Sequence, residues 1–167
     1  INTWKEAGGL VHFCAHNAVM NEASLSTKVR IVVDSAIKTQ EITQQNELWA
    51  AGPSTLNPLF NTLISFHSYE VGVVYDLSKA YHQLWTGQEE FFARLCVWRL
   101  TEEEPWSIYG TNVVGMGDHP ATPLLDLALT KVAEMSQHLD EKTAEQLSRK
   151  RYADDTLGGG SMEEAQR

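Results

Sequence analysis

Val71-Gly72-Val73-Val74-Tyr75-Asp76 is the stretch on which the fold turns. Its first five residues are short, mostly apolar and rich in β-branched side chains, the pattern of a strand buried on both faces. Polarity then changes at Asp76. A carboxylate closing a buried strand is a chemical signal, because burial disfavours its charged form. The structural alternative is that Asp76 caps a helix that follows it.

Upstream, Leu56, Leu59, Phe60, Leu63 and Ile64 recur at i, i+3, i+4, i+7 and i+8, which predicts a helix with one apolar face. Before it, the polar stretch from Thr39 to Asn57 carries the turn signals Gly52-Pro53 and Asn57-Pro58. Lys28-Val29-Arg30-Ile31-Val32-Val33-Asp34 reads as a strand. Downstream, Leu77 to Leu84 suits a helical turn, and Arg94 to Leu100 and Trp106 to Val114 suit strands on either side of the acidic loop Glu102-Glu103-Glu104-Pro105.

Gly115 to Pro120 makes a loop, and Leu125, Ala128, Leu129, Val132, Ser136 and Leu139 trace a second helical stripe from Pro123. Tyr152-Ala153-Asp154-Asp155-Thr156-Leu157 follows, between Arg151 and Gly158-Gly159-Gly160. This order predicts an α+β fold, an antiparallel sheet with helices packed on one face.

The chain has 167 residues, 43% of them hydrophobic and 21% charged, enough apolar surface for a core and too much for a disordered chain. Thirteen basic against 22 acidic residues give a net charge of −9, which argues against gripping nucleic acid by charge alone. No apolar run reaches the length of a membrane span, and the start has no charged and apolar leader, so no membrane partner is expected. Cys14 and Cys96 stand far apart, as reduced thiols in an intracellular compartment do. Ser161-Met162-Glu163-Glu164 has the spacing of a capping box, so a helix is expected after Ser161, and its early stop at Arg167 suggests a fragment of a longer protein.

Asp76 and the pair Asp154-Asp155 are the candidate chemistry. Carboxylates brought together repel one another and persist best around a cation. Mg²⁺ suits them, since it takes one or two carboxylates and leaves its other positions to water and substrate phosphates. Neighbouring side chains on a regular strand point to opposite faces, which ranks Asp76 and Asp154 ahead of Asp155. The alternative is a common Asp-Asp turn. His12, Cys14 and His16 alternate as a strand-borne zinc half-site would, but they lack a fourth ligand.

Read together, the motifs resemble reverse transcriptases, and among them the polymerases of BEL/Pao-type retrotransposons. The stretches that carry the resemblance are Thr27 to Ala36, Gly52-Pro53-Ser54-Thr55-Leu56-Asn57-Pro58-Leu59, Val74-Tyr75-Asp76-Leu77-Ser78-Lys79-Ala80-Tyr81-His82-Gln83-Leu84 and Tyr152-Ala153-Asp154-Asp155. They occur in the family's order and span about His12 to Gly160.

The resemblance implies a fingers-like segment and first palm helix over 1–70 and a palm-like catalytic segment over 71–167, with the thumb absent. It implies that Asp76, Asp154 and Asp155 are the catalytic residues and hold two Mg²⁺ ions, or Mn²⁺ in their place. Lys28 and Arg30 are similar to the residues that contact the incoming triphosphate, a role suited to cations on a strand. Tyr81 resembles the aromatic gate that excludes a ribose 2′-hydroxyl. Gly117 is similar to a backbone contact with nucleotide or template, although Met116-Gly117 followed by Thr122-Pro123 departs from the family's Gln-Gly and Ser-Pro and leaves the register of residues 115–123 open.

The implied partners are an RNA or DNA template-primer, a dNTP, and the remainder of a polyprotein carrying thumb and RNase H. The implied location is intracellular and cytoplasmic, virus-like particles included. The expected function is therefore RNA- or DNA-templated DNA synthesis by two-metal nucleotidyl transfer to a primer 3′-hydroxyl. The alternative is a non-catalytic palm remnant that acts as a protein-interaction module.

Overall fold

The computed structural model describes Glu6 and residues 8–25, 28–38, 43–138 and 140–165, the side chains of Lys142, Glu164 and Ala165 excepted. Thr27 of the first family-like stretch, residues 39–42 of the polar segment and Leu139 of the second helical stripe lie outside the described residues.

In chain order the elements are β1 (Ala15–Met20), β2 (Val29–Asp34), a 3-10 turn (Gln45–Glu47), α1 (Leu59–His67), β3 (Val71–Asp76), a 3-10 turn (Ala80–Gln83), α2 (Gln88–Phe91), β4 (Leu95–Trp98), β5 (Ser107–Gly110), α3 (Ala121–Ser136), α4 (Glu141–Arg149), β6 (Arg151–Tyr152), β7 (Asp155–Gly160) and α5 (Met162–Ala165). The chain is thus a mixture of helices and small antiparallel sheets, in keeping with the α+β expectation. The single sheet expected from the order of elements is replaced, among the described residues, by three: β1-β2, β3-β7-β6 and β4-β5.

The chain forms two compact units, Ile1–Ala50 with Trp85–His119, and Ala51–Leu84 with Pro120–Arg167. The first unit holds the hairpins β1-β2 and β4-β5, joined where Phe13 bridges Leu95 and the Cys14 N–H donates to the Leu95 carbonyl at 2.7 Å. Its buried apolar residues include Cys14, Ala93, Leu95 and Val114.

The second unit holds the sheet β3-β7-β6 and the pair α3 and α4, which pack on each other. Ala121, Leu125, Leu129 and Ala133 recur every four residues along α3 and are buried, as is Ala144 of α4. Removing a leucine of this kind from water contributes about 1.5–3 kcal/mol. The expected stripe is right at Leu125 and Leu129, but Val132 is exposed and Ala133 takes the buried place.

Two expectations of burial fail. β3 is the edge strand of a three-stranded sheet, so Val74 and Tyr75 are exposed rather than sealed on both faces. On α1, Leu59, Phe60, Leu63 and Ile64 are exposed, and Thr62 is the buried residue. The helix meets the sheet instead through Phe66, whose ring lies where a side chain on Gly72 would be. Gln146 of α4 lies against Gly158, one position removed from Gly72's cross-strand partner Gly159, so the two helices touch opposite faces and not one.

Candidate functional site

The β3-β7 register brings the separated acidic stretches together. Val74 pairs with Leu157, Tyr75 with Thr156, and Asp76 with Asp155. Directly opposite residues of an antiparallel pair project to the same face with Cα atoms about 4.5–5.5 Å apart. The carboxylate that shares a face with Asp76 is therefore that of Asp155. Asp154, ranked ahead of it from the sequence, sits in the connecting turn instead. The alternation argument applied to a regular strand and made an exception of a turn; the turn is what occurs at Ala153-Asp154, and the strand begins at Asp155.

That turn is tight. β6 and β7 pair through Tyr152 and Asp155, leaving Ala153 and Asp154 as a two-residue loop. Ala153 has φ 53°, a value that usually calls for glycine. Lys79, three residues past Asp76, has φ 54°. These two are the left-handed non-glycine residues among the described residues, and both border the acidic stretches. Backbone strain of this kind concentrates at functional sites.

The far end of β7 fixes the register. A side chain at Gly159 would lie 2.4 Å from the Val71 carbonyl oxygen, so only glycine lets β3 approach there. Asp76 and Asp155 are exposed and Asp154 is half-buried, which removes desolvation as their distinguishing property. What remains is like charge placed directly opposite, a destabilising arrangement that a hard cation would relieve. Paired carboxylate oxygens are donors of the kind Mg²⁺ takes. Among the described residues no group of three or more His, Cys, Asp or Glu stands together as a metal centre. Tyr81, in the turn Ala80–Gln83 that packs on α3, is buried.

The other candidates belong to the first unit. The Asn21 N–H donates to the Lys28 carbonyl at 2.8 Å, continuing the β1-β2 ladder past Met20 and Val29. Lys28 and Arg30 thus share one side of the ribbon, both exposed. The opposite side carries the apolar pairs Met20–Val29 and Ala18–Ile31, followed by His16 with Val33.

Gly117 lies in a loop pinned from several directions. Asn46 Nδ2 donates to the Gly117 carbonyl at 3.0 Å, and the His119 N–H donates to Asn46 Oδ1 at 2.9 Å. Asp118 accepts from the Gly115 N–H at 2.8 Å and from the Ser35 hydroxyl at 2.9 Å, and pairs with Arg94 at 2.8 Å. Arg94 in turn stacks on Trp49, 4.2 Å from the ring centroid.

Cys14, a member of the possible zinc half-site, donates its thiol hydrogen to Gln45 Oε1 at 3.0 Å. Burial first, then the Asp118 carboxylate, pushes the thiol up to about 11, which disfavours the thiolate a metal would require. Burial lowers the His12 imidazole. Asn57, Arg151, Ser35, Asn46 and Asp118 hold these loops, and sequence reasoning assigned none of them a role. Ser35 and Asn57 did lie inside stretches that carry the resemblance, and Arg151 beside one.

No protein-family model matches the chain, and neither does any curated protein compared with it.

Proposed function

We propose that the chain is the fingers and palm part of a BEL/Pao-type reverse transcriptase, a core for RNA- or DNA-templated DNA synthesis. The observation that carries this reading is the register that sets Asp76 across from Asp155, with Asp154 in the strained turn beside them. Asp76, Asp154 and Asp155 are the residues that would hold Mg²⁺, which when bound supplies positive charge at the reacting phosphate and the primer oxygen.

The remaining work is positioning and charge. Lys28 and Arg30 hold the triphosphate through charge-assisted hydrogen bonds, and the Gly117 backbone contacts the nucleotide. Tyr81 closes the sugar pocket against a 2′-hydroxyl. The primer 3′-hydroxyl gives up its proton to solvent, its oxygen forms a bond to the α-phosphorus, the bond from that phosphorus to the bridging oxygen breaks, and pyrophosphate leaves. Alignment and electrostatic stabilisation are the protein's main contributions to such a transfer.

Template-primer extension tests it. The full chain, supplied with the remainder of its polyprotein, extends a primer with dNTPs, and Asp76→Asn or Asp154→Asn abolishes extension while the circular dichroism spectrum and melting are kept. Undiminished extension by Asp154→Asn rejects the assignment.

The exposed apolar face of α1, with Leu59, Phe60, Leu63 and Ile64, favours a second reading, a palm remnant that acts through protein contacts. A melting temperature unmoved by Mg²⁺ and dNTP together would support that reading over the first.

A further inference from the structure

Arg151 immediately precedes Tyr152-Ala153-Asp154-Asp155 and is 2% exposed, among the most deeply buried large side chains described. Nothing in its own strand explains a buried cation there. Its guanidinium reaches out of the hairpin into both neighbouring helices. From α3, the Asp126 carboxylate pairs with Nη2, and Nη2 also donates to the Asp126 carbonyl and to Thr130 Oγ1, each at 2.9 Å. At the end of α4, Nη1 donates to the carbonyls of Leu147 and of Ser148, the latter at 3.1 Å. Those carbonyls belong to the last turn of a helix, where intrahelical partners run out and positive charge is favoured.

The backbone of the same residue is held as well. Asn57 Nδ2 donates to the Arg151 carbonyl at 3.1 Å and to that of Ser148 at 3.3 Å. Arg151 pairs across the hairpin with Thr156, one step from Asp155 and two from Asp154. A planar fork with fixed donor directions, gripping two helices, therefore sets where the base of the acidic turn lies. We propose that Arg151 is the positioning residue of the Asp154–Asp155 turn, fixing its carboxylates for the divalent cation, with Asp126 as its counter-charge. This inference rests on the nucleotidyl-transfer reading for the identity of the cation, but the clamp itself does not.

A purely structural role predicts lower stability and nothing else, so the test separates the two. Arg151→Met/Asp126→Leu removes both buried charges and keeps apolar packing, a change that often leaves stability unharmed. In this variant of the full chain we expect melting close to that of the unsubstituted protein. Two other readouts should move. Amide hydrogen exchange at residues 152–156 of the metal-free protein should quicken by about tenfold or more, and the Mg²⁺ concentration giving half-maximal extension should rise by roughly 10–100-fold, the usual effect of removing support behind a metal ligand. The KM for dNTP should stay within about twofold, since the residue touches no nucleotide.

Arg151→Lys, which keeps the charge but loses the fork, provides the same readouts should the double variant fail to fold. Unchanged exchange at the turn, or an unchanged Mg²⁺ requirement in an active protein, overturns the proposal. Absence of extension by the unsubstituted protein with its polyprotein partners overturns the polymerase reading instead, and the exchange measurement then still decides on the clamp.

Discussion

Asp118 and Arg94 form an ion pair sealed from solvent: Oδ2 lies 2.8 Å from Nη2, and the side chains are 3% and 2% exposed. Breaking one side of such a pair leaves an uncompensated charge in the interior. Asp118→Ala should therefore lower unfolding free energy by about 3–5 kcal/mol, read by urea denaturation. Replacing both partners, Arg94→Met with Asp118→Leu, should lose markedly less. Equal losses in the single and double variants would show that Ser35 and Gly115, and not the ion pair, carry the effect of Asp118.

The raised thiol of Cys14 makes a prediction about alkaline pH. Its ordinary value is 9.0, and burial with the Asp118 carboxylate takes it to about 11, against the opposing pull of Arg94. The folded chain thus keeps this proton at pH values where the unfolded chain has released it. The contribution is complete below about pH 9 and disappears as pH rises through 11, falling by about 1.4 kcal/mol per pH unit in between. Cys14→Ala should flatten that part of the stability curve. Parallel curves for the two proteins between pH 8 and 11 would assign the alkaline loss to other groups.

Where Asp76 and Asp155 hold a cation as proposed, removing one of them should act oppositely with and without that cation. In EDTA, Asp155→Asn removes a like-charge pair and should raise stability by about 0.2–1 kcal/mol. In saturating Mg²⁺ the order should reverse: at a concentration 100 times the dissociation constant, binding stabilises the unsubstituted protein by about 2.7 kcal/mol and the variant by less. Calorimetry in the two buffers checks this. The same ranking in both would separate the acidic pair from metal binding.

Ala153 occupies a backbone conformation that L-residues enter at a cost of about 1–2 kcal/mol, against roughly 0.5–1 kcal/mol of extra chain entropy lost by glycine. Ala153→Gly should accordingly be neutral or stabilising by up to about 1 kcal/mol. Ala153→Val should destabilise by about 1–3 kcal/mol, because a β-branched side chain tolerates this φ poorly. A thermal melt of each variant suffices, and a valine variant that melts with the unsubstituted protein would remove strain from the account of this turn.

Elements with a strong local period were legible in the sequence: β2, α1, β3, β4 and α3 lie where the pattern of residues puts them, and a helix follows Ser161. What was not legible depends on distant partners. Asp126 reads as a polar interruption of a helical stripe until Arg151, 25 residues on, arrives to neutralise it. Arg94 and Asp118 present the same difficulty. The apolar face of α1 has a helical period whether or not anything covers it, so periodicity predicted the helix and could not predict its exposure. α4 was missed because it is mostly polar, and among its described side chains Ala144 is the buried one. The relation of Asp76 to Asp155 was expected in kind but not in register, since where a strand begins after a two-residue turn decides which of two adjacent aspartates faces across.

Because the chain passes from one unit to the other after Ala50, after Leu84 and after His119, neither unit is a contiguous stretch of sequence. A ribosome adding about 5–20 residues per second releases β3 roughly 4–16 s before its strand neighbour among the described residues, β7, has been made. For that interval Val71, Val73 and Val74 form a naked apolar edge in the nascent chain. The order of synthesis thereby makes this segment a natural binding site for a holdase, and makes production at lower temperature with co-expressed chaperones the condition under which soluble protein should be recovered.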